Sequence, residues 1–293
     1  MSGREFFVRR YEQMGWEARD VKPKHSIRIN TANAEKGDVV ERLETKGMEL
    51  AKVPFLRDAY WVARSKFSAG ATTEYLLGLY SIQEATAQIP ATLFGGLEDK
   101  VVLDACAAPG GKTGQLADLM HGSGLIVALD VRRQRLRALT NQLERCRVRN
   151  AVVYEMDARR VSQLGLQFDC ILLDVPCSGN YAGDGDWFNR RTRRDIERNA
   201  RVQRQILAEA SKTLKDGGEL VYSTCSLEPE ENEFNVDWAL RTLRLRVEPV
   251  DCFGEQAPTK VFGRELDSTI GNCRRIWPGL TQGFFVCKLR KRA

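Results

Sequence analysis

From residue 101 onward, short apolar runs alternate with longer stretches in which apolar positions recur every three or four residues. The short runs predict buried strands and the longer stretches predict amphipathic helices. Five strands are predicted, at residues 101–105, 125–130, 151–155, 170–174 and 219–223. This alternation is typical of a mainly parallel sheet with helices on both faces. The sequence therefore predicts an α/β fold for this part of the chain.

The first hundred residues lack this alternation and mix a helical stretch at 38–46 with a strand at 60–63. We therefore expect a small amino-terminal α/β lobe at residues 1–90 and a larger catalytic domain at 91–293. Aromatic and β-branched runs between 262 and 289 are interrupted by Gly271 and by Pro278-Gly279. Such runs predict two strands joined by a turn, in a hairpin that closes the sheet.

Composition limits the class of protein only loosely. The 293 residues are 43% hydrophobic and 29% charged, which is ordinary for a folded protein, and the net charge of +6 attracts polyanions mildly. No apolar run approaches the roughly 18 residues that span a membrane, and the first ten residues lack the apolar core of a signal peptide. We expect a cytoplasmic monomer that does not bind a membrane.

The cysteines and histidines argue against metal chemistry. Eight Cys are dispersed without the close pairs of a zinc site or a disulfide framework, so reduced thiols are expected. Only His25 and His121 are present, which makes a His-based metal site or a Ser-His-Asp triad a poor explanation.

The first predicted strand leads directly into the segment 104–113, which reads Asp-Ala-Cys-Ala-Ala-Pro-Gly-Gly-Lys-Thr, and then into a helical stretch at 114–120. Small residues and paired glycines let a ligand approach backbone amides at a helix N-terminus. The end of this segment resembles a phosphate-binding loop, but that motif requires Gly where this chain has Cys106. We therefore expect a different ligand.

Acidic residues follow several of the predicted strands and should share one edge of the sheet, namely Asp104, Asp130, Asp157 and Asp174. Ligands of open α/β sheets bind beyond the carboxyl ends of the strands. Asp130 is placed to accept hydrogen bonds from ribose hydroxyls, and Asp157 to accept one from an adenine amine. Each acid alone could instead be a helix N-cap or a solvated strand end. Their joint placement favours a nucleoside-type cofactor.

Two cysteines follow the fourth and fifth strands, in Asp174-Val-Pro-Cys177 and Tyr222-Ser-Thr-Cys225. Carbon 5 of cytosine is a weak nucleophile, so its methylation requires a thiolate to add first at carbon 6. Cys225 could do this if Lys112 or a helix N-terminus favours the thiolate. Asp174 could stabilise charge at ring nitrogen 3, and Cys177 could assist removal of the carbon 5 proton. The other six Cys are interpreted as small buried hydrophobes.

Together these segments, with Arg135 and residues 222–233, resemble the Sun family of RNA cytosine-5 methyltransferases over nearly the whole chain. The resemblance implies a Rossmann-like S-adenosylmethionine-dependent methyltransferase sheet with an RNA-binding amino-terminal lobe. It implies that Cys225 is the nucleophile, that Cys177 helps to release the product, and that Asp174 and Lys112 hold the base. It also implies a set of residues that bind S-adenosylmethionine: Cys106, Ala107, Ala108, Pro109, Gly110, Gly111, Lys112, Asp130, Arg135, Asp157 and Asp174.

RNA recognition is expected from arginines, which are dense at 132–149 and again at 190–204. Arg can pair with phosphate, and Trp187 and Phe188 could offer stacking platforms to an unpaired nucleotide. The alternative is that these arginines form ordinary solvated helix faces with neighbouring acids. We expect tRNA in preference to ribosomal RNA as substrate. An RNA-binding assembly factor without catalysis is the non-enzymatic alternative.

Overall fold

The computed structural model describes residues 3–293. The chain begins with helix α1 (Gly3–Gln13), and a small lobe follows it. The lobe contains β1 (Ser26–Ile29), α2 (Lys36–Thr45), β2 (Met48–Lys52), β3 (Ala59–Ser65), α3 (Thr73–Leu76) and β4 (Tyr80–Ile82). Its strands form an antiparallel sheet in the order β2-β3-β1-β4. The helix and strand expected at 38–46 and 60–63 correspond to α2 and β3.

The larger part of the chain contains the remaining elements. Its helices are α4 (Ile89–Thr92), α5 (Gly111–Leu119), α6 (Arg133–Arg145), α7 (Trp187–Arg190), α8 (Arg193–Thr213) and α9 (Glu233–Thr242). Its first five strands are β5 (Val101–Asp104), β6 (Leu125–Asp130), β7 (Ala151–Glu155), β8 (Phe168–Asp174) and β9 (Leu214–Thr224). Later strands are β10 (Leu245–Glu248), β11 (Glu255–Gln256), β12 (Lys260–Val261), β13 (Arg264–Glu265), β14 (Arg274–Ile276) and β15 (Phe284–Lys291).

The main sheet runs in the order β11-β14-β15-β9-β8-β5-β6-β7, with β10 also paired to β15. Five neighbouring strands of this sheet, β5 to β9 in chain order, are parallel to one another. Strand β15 is antiparallel to β9 and forms the predicted hairpin with β14. The strand order reverses between β5 and β8, and this switch point is where open α/β sheets bind ligands. The predicted α/β fold with a mainly parallel, Rossmann-like sheet is present in the structure.

Both faces of this sheet are buried, which explains why its strands read as continuous apolar runs. Within β5, Leu103 packs in the core that includes α8 and α9, whereas Val102 packs in the core that includes α4 and α5. Alternate residues of a strand point to opposite faces, so apolar residues at every position satisfy two cores.

The lobe is joined to the larger part by polar contacts that converge on α5. The buried Arg28 guanidinium on β1 lies 3.2 Å from the Asp118 carboxylate, which also accepts a hydrogen bond from Ala32 N at 2.5 Å. Helix α1, in contrast, packs on the larger part of the chain. The Phe7 and Trp187 rings lie 4.6 Å apart, and Tyr11 donates a 2.8 Å hydrogen bond to Glu228. The expected boundary at residue 90 stays a prediction.

Candidate active site

The two cysteines that follow β8 and β9 lie side by side. The strands are parallel neighbours in which Asp174 is paired with Ser223, so both chains leave the sheet at the same edge. The Sγ atoms of Cys177 and Cys225 are 3.0 Å apart, and neither cysteine is in a disulfide. The structure therefore brings together the two thiols that the sequence placed after separate strands.

A lysine and an aspartate lie next to these thiols. Lys112 Nζ, from the first turn of α5, lies 2.7 Å from Asp174 Oδ2, and Ser223 Oγ donates to Asp174 Oδ1 at 2.9 Å. Burial lowers the pKa of Lys112, but the nearby Asp174 carboxylate outweighs it, and the net pKa is raised. Cys225 adds to this effect. A positive charge is thus fixed beside both Asp174 and Cys225.

The thiol of Cys177 is held in its neutral form. Its pKa is well above the ordinary value because it hydrogen-bonds to Cys225, because it is buried, and because negative charge on Cys225 and Glu231 repels the thiolate. A neutral Cys177 can donate its S–H to Cys225. The two thiols are therefore placed as donor and acceptor of one hydrogen bond.

The backbone on either side of Cys225 is fixed by two asparagines. Asn232 accepts a hydrogen bond from Thr224 Oγ1 at 2.6 Å and donates one to Ser226 O at 2.9 Å. Asn180 donates to the carbonyl of Cys225 itself at 2.7 Å. All three residues from Thr224 to Ser226 are thus held in place, and sequence reasoning assigned no role to either asparagine.

The segment that follows Cys225 is buried although it is rich in acids. Glu231 accepts hydrogen bonds from Ser178 N at 3.0 Å and Ser178 Oγ at 2.5 Å, which ties this segment to the loop that carries Cys177. Glu233 forms a salt bridge of 2.6 Å with Arg275, and both side chains are almost completely buried. The sequence signal for these roles is the run of acids between residues 228 and 233, which entered the predictions only as part of the family resemblance.

A cavity of about 490 Å³ extends from the two cysteines along the carboxyl ends of the parallel strands. Its wall includes Cys106, Ala108 and the acids Asp130, Asp157 and Asp174. Three of the four acids that were predicted to share one edge of the sheet therefore line one continuous cavity. The carboxyl of Asp104 is instead buried below it, where Thr113 Oγ1 donates to it at 2.7 Å.

Asp130 and Asp157 differ in what they already contact. Asp130 is buried, accepts a hydrogen bond from Arg132 N at 2.9 Å and lies 3.2 Å from Arg135. Asp157 caps the 3₁₀ turn 158–164 and pairs with Arg159 at 2.6 Å, and the hydrogen bond from Arg159 lowers its pKa. Asp157 therefore caps this turn, as the alternative interpretation proposed, and it also lines the cavity.

The first glycine of the turn after β5 is explained by packing within the protein. Gly110 has φ of 101°, a conformation that favours glycine. A Cβ on Gly110 would lie 3.0 Å from Leu139, and one on Gly111 would lie 3.5 Å from Gln83. Ala107 and Ala108 belong to a buried cluster with Leu139. Gly110 is therefore favoured by its backbone conformation and by its close approach to α6, whereas a Cβ on Gly111 would make only ordinary van der Waals contact with Gln83.

The residues that line the cavity fit a nucleoside cofactor with an amino-acid tail. Its volume lies in the range of small-molecule sites. Asp130 offers carboxylate oxygens to hydroxyl donors, and Val131, Met156 and Ala158 supply an apolar wall for a base. The cysteines line the same cavity, so a group carried by such a cofactor could approach a base bound at Cys225.

The prediction that Trp187 and Phe188 offer stacking platforms to an unpaired nucleotide is wrong. Trp187 and Phe188 are buried, because α1 packs on them, and the Trp187 indole N–H donates to Ser178 O at 2.8 Å.

In the second arginine cluster, three residues form ion pairs with nearby acids: Arg190, Arg193 and Arg198. Within residues 3–293, exposed arginines without a carboxylate partner number five in the first cluster and two in the second: Arg132, Arg133, Arg137, Arg147 and Arg149, against Arg194 and Arg201. The first cluster is therefore the better candidate for phosphate contacts.

The described part of the chain contains neither a membrane-spanning helix nor a cluster of metal ligands. None of its helices combines the length and apolar character needed to cross a bilayer. No group of three or more His, Cys, Asp or Glu side chains in it is arranged to hold a metal ion.

Comparison with known proteins gives two family matches. The family described as 16S rRNA methyltransferase RsmB/F matches residues 91–290, and the N-terminal domain of 16S rRNA methyltransferase RsmF matches residues 7–85. Among solved structures, a methyltransferase homolog protein from Pyrococcus horikoshii has a TM-score of 0.86 and 39% identity. That match covers 97% of this chain and 90% of the other. NSun6 from the same organism, solved with the S-adenosylmethionine analogue SFG, has a TM-score of 0.82 and 25% identity, with 99% and 95% of the chains covered.

Curated relatives agree but are longer. The 28S rRNA (cytosine-C(5))-methyltransferase of Mus musculus is 34% identical over 285 residues, which is 94% of this chain and 36% of the relative. The ribosomal RNA small subunit methyltransferase F of Aeromonas hydrophila is 36% identical over 279 residues, which is 92% of this chain and 58% of the relative. This chain thus spans about one third to somewhat over half of the length of these relatives. The predicted family is confirmed: the chain belongs to the RsmB/F family of S-adenosylmethionine-dependent methyltransferases, the Sun family.

Proposed function

We propose that this protein methylates carbon 5 of a cytosine in RNA and that Cys225 is the covalent nucleophile. The observation that carries the proposal is the pair of thiols 3.0 Å apart in the cavity that also contains Asp130 and Asp174. A methyltransferase that acts on an amine has no need of a thiol, and still less of two. The curated relatives are named as cytosine-C5 and ribosomal RNA methyltransferases, which supports the same reaction here.

Cys225 would begin the reaction as a thiolate. Its proton goes to solvent or to a neighbouring base before attack, and the fixed charge of Lys112 and the S–H of Cys177 stabilise the anion. The sulfur then forms a bond to carbon 6 of cytosine, and the electron pair of the 5,6 double bond moves into the ring towards nitrogen 3. Asp174, which Ser223 and Lys112 hold in place, would stabilise this charge by sharing with nitrogen 3 the proton that Lys112 donates to it.

Carbon 5 of the adduct has enamine character and accepts the methyl group that bound S-adenosylmethionine supplies. Asp130, Arg135, Asp157 and the segment 106–112 would hold this cofactor. The hydrogen on carbon 5 is then removed as a proton, the 5,6 double bond re-forms, and the bond from carbon 6 to Cys225 breaks. The neutral Cys177 thiol would assist by positioning the base that takes the carbon 5 proton, and its S–H would donate a hydrogen bond to the departing Cys225 thiolate.

The substrate RNA has two candidates. The sequence favours tRNA, whereas the names of the curated relatives favour ribosomal RNA as the alternative. In either case the target base must leave its stack to reach Cys225, so a junction or bend is a better substrate than a perfect duplex. The cytoplasmic location, the monomeric state and the RNA-binding role of the lobe stay predictions.

The test is transfer of labelled methyl groups from S-adenosylmethionine to total tRNA and, separately, to ribosomal RNA, followed by nucleoside analysis. The expected product is 5-methylcytosine in one pool, formed by wild type and by Cys252→Ala but absent with Cys225→Ala. Normal turnover by Cys225→Ala would refute the nucleophile. Failure to label either pool while RNA still binds would favour the catalytically silent assembly factor.

A further inference from the structure

A second cavity, of about 540 Å³, lies outside the catalytic cavity, and five of its fourteen lining residues are aromatic. Its walls come from three separate parts of the chain. Phe55 and Trp61 belong to the lobe, Trp16 follows α1, and Phe253 and Trp277 belong to the carboxyl-terminal part. We call this cavity the aromatic cleft.

Stacked pairs make the walls of the aromatic cleft flat. The Trp16 and Trp277 rings are 5.1 Å apart and tilted by only 4°, and the Phe55 and Phe253 rings are 4.2 Å apart and tilted by 10°. The cleft is also open, because Phe253 is 44% exposed and Leu280 at its margin is 57% exposed. Large apolar side chains left open beside a cavity suit a flat apolar ligand.

One cation, Lys24, lies against the wall of the aromatic cleft and three more are close to this wall in sequence, while one exposed acid, Glu255, also lines the cleft. Lys24 Nζ lies 5.2 Å from the centre of the Trp61 ring, and Lys22 precedes it by two residues. Lys52 and Arg57 flank the segment that contributes Phe55. These four side chains are exposed, and none pairs with a carboxylate within residues 3–293. Flat apolar walls with unpaired cations beside them match a nucleobase joined to phosphates better than they match an apolar peptide.

The turn between β14 and β15 connects the aromatic cleft to the catalytic cysteine. Leu280 precedes Gly283 by three residues, a span of at most about 11 Å. Gly283 O accepts a hydrogen bond from Asn180, and the same amide donates to Cys225 O. Phe284, the next residue, has its ring 5.8 Å from Lys112 Nζ. The cleft is thus next to the site where the target cytosine would react.

We propose that the aromatic cleft binds an unpaired nucleobase of the substrate RNA, close to the target cytosine. This inference rests on the proposed function. A cytosine that swings out of its stack leaves its neighbours without a stacking partner, and aromatic walls replace that partner. The Trp187 and Phe188 rings are covered by α1 and cannot serve in this way. In the cleft, Phe253 is exposed, Trp16, Phe55 and Trp277 are half-buried, and only Trp61 of the five aromatic residues is buried.

The test uses Phe253→Ala, because this ring is exposed and its removal disturbs little of the core. Leu280→Ser is a second variant at the margin, and Tyr154→Ala is the matched control, an equally exposed aromatic on β7 at the opposite edge of the sheet. The probe is a single-stranded RNA of twelve adenosines, with binding followed by quenching of tryptophan fluorescence. Loss of one stacking partner should weaken binding roughly 5- to 100-fold for Phe253→Ala. Tyr154→Ala should bind like wild type, and equal affinity of Phe253→Ala and wild type would overturn the proposal.

A methylation assay separates this proposal from the proposed function. If wild type forms 5-methylcytosine, Phe253→Ala should raise the KM for RNA by a similar factor and leave kcat at saturating RNA unchanged. Methylation by wild type with an unchanged KM in Phe253→Ala would refute the cleft alone. Absence of 5-methylcytosine with wild type, together with weaker binding of the probe by Phe253→Ala, would refute the proposed function and leave the cleft as an RNA site.

Discussion

Replacement of Asn232 by alanine should separate the position of Cys225 from its chemistry. The Asn232 side chain is fully buried and makes two hydrogen bonds, one from Thr224 Oγ1 and one to Ser226 O. It touches the residues on both sides of Cys225 and not the thiol itself. We therefore expect Asn232→Ala to move the thiol without removing any reacting group.

The loss of folding stability in Asn232→Ala can be estimated from these two hydrogen bonds. Each contributes about 0.5–1.5 kcal/mol net, and leaving the buried Ser226 carbonyl unpaired adds about 1–3 kcal/mol. The free energy of unfolding should therefore fall by about 2–6 kcal/mol. A displacement of a reacting group by about 1 Å can lower the rate about 100-fold. We expect kcat to fall by about this factor while the KM for RNA changes little.

The assay is single-turnover methyl transfer at a temperature well below the unfolding transition, with urea unfolding measured in parallel. Val236→Ala is the matched control, because Val236 lies on α9, the helix that begins directly after Asn232, and its side chain is fully buried in the apolar core. It should lose a similar amount of stability, about 2 kcal/mol, and keep its kcat. A folded Asn232→Ala with the kcat of wild type would refute the idea that these bonds position Cys225.

Three further predictions concern charge. Burial raises the pKa of Asp104 from 3.8 to about 7, so the native state holds a proton that the unfolded chain has lost, and stability should fall as pH rises from about 4 to 7. Asp104→Asn should lessen this fall in urea unfolding between pH 5 and 8, and equal slopes would contradict the shift. Asp130→Ala should weaken S-adenosylmethionine binding about 10- to 100-fold in calorimetry, because hydrogen bonds to a charged group are lost, and an unchanged affinity would exclude the proposed contact. Arg137→Gln should weaken RNA binding and reduce the salt slope by about 0.7, whereas the ion-paired Arg193→Gln should not, and identical behaviour of the two would remove the first cluster from the RNA surface.

The sheet could be predicted well because its signal is local. Strands β6 and β7 have the predicted bounds, since a strand buried on both faces reads as a continuous apolar run ended by polar residues. The thiols could be predicted by chemistry, because only a few residue types can add to carbon 6 of cytosine. Parallel strands then bring their carboxyl ends to one edge whatever the details of the loops.

Contacts between distant segments could not be predicted. Trp187 and Phe188 were expected at the surface, and they are buried because α1 packs on them from the other end of the chain. Asn180 reaches Cys225 across 45 residues, and nothing in its local sequence indicates this bond. The pattern around Gly110 was interpreted as an approach for a ligand, whereas its neighbours in the structure are Leu139 and Gln142.

The roles of the two cysteines can be tested by trapping the covalent intermediate. Wild type, Cys177→Ala, Cys225→Ala and the double variant are each incubated with RNA and S-adenosylmethionine and then separated by denaturing electrophoresis. We expect Cys177→Ala to retain RNA as an adduct, because attack proceeds but release is slow, and we expect no adduct with Cys225→Ala or the double variant. An adduct formed by Cys225→Ala but not by Cys177→Ala would reverse the assignment and make Cys177 the nucleophile.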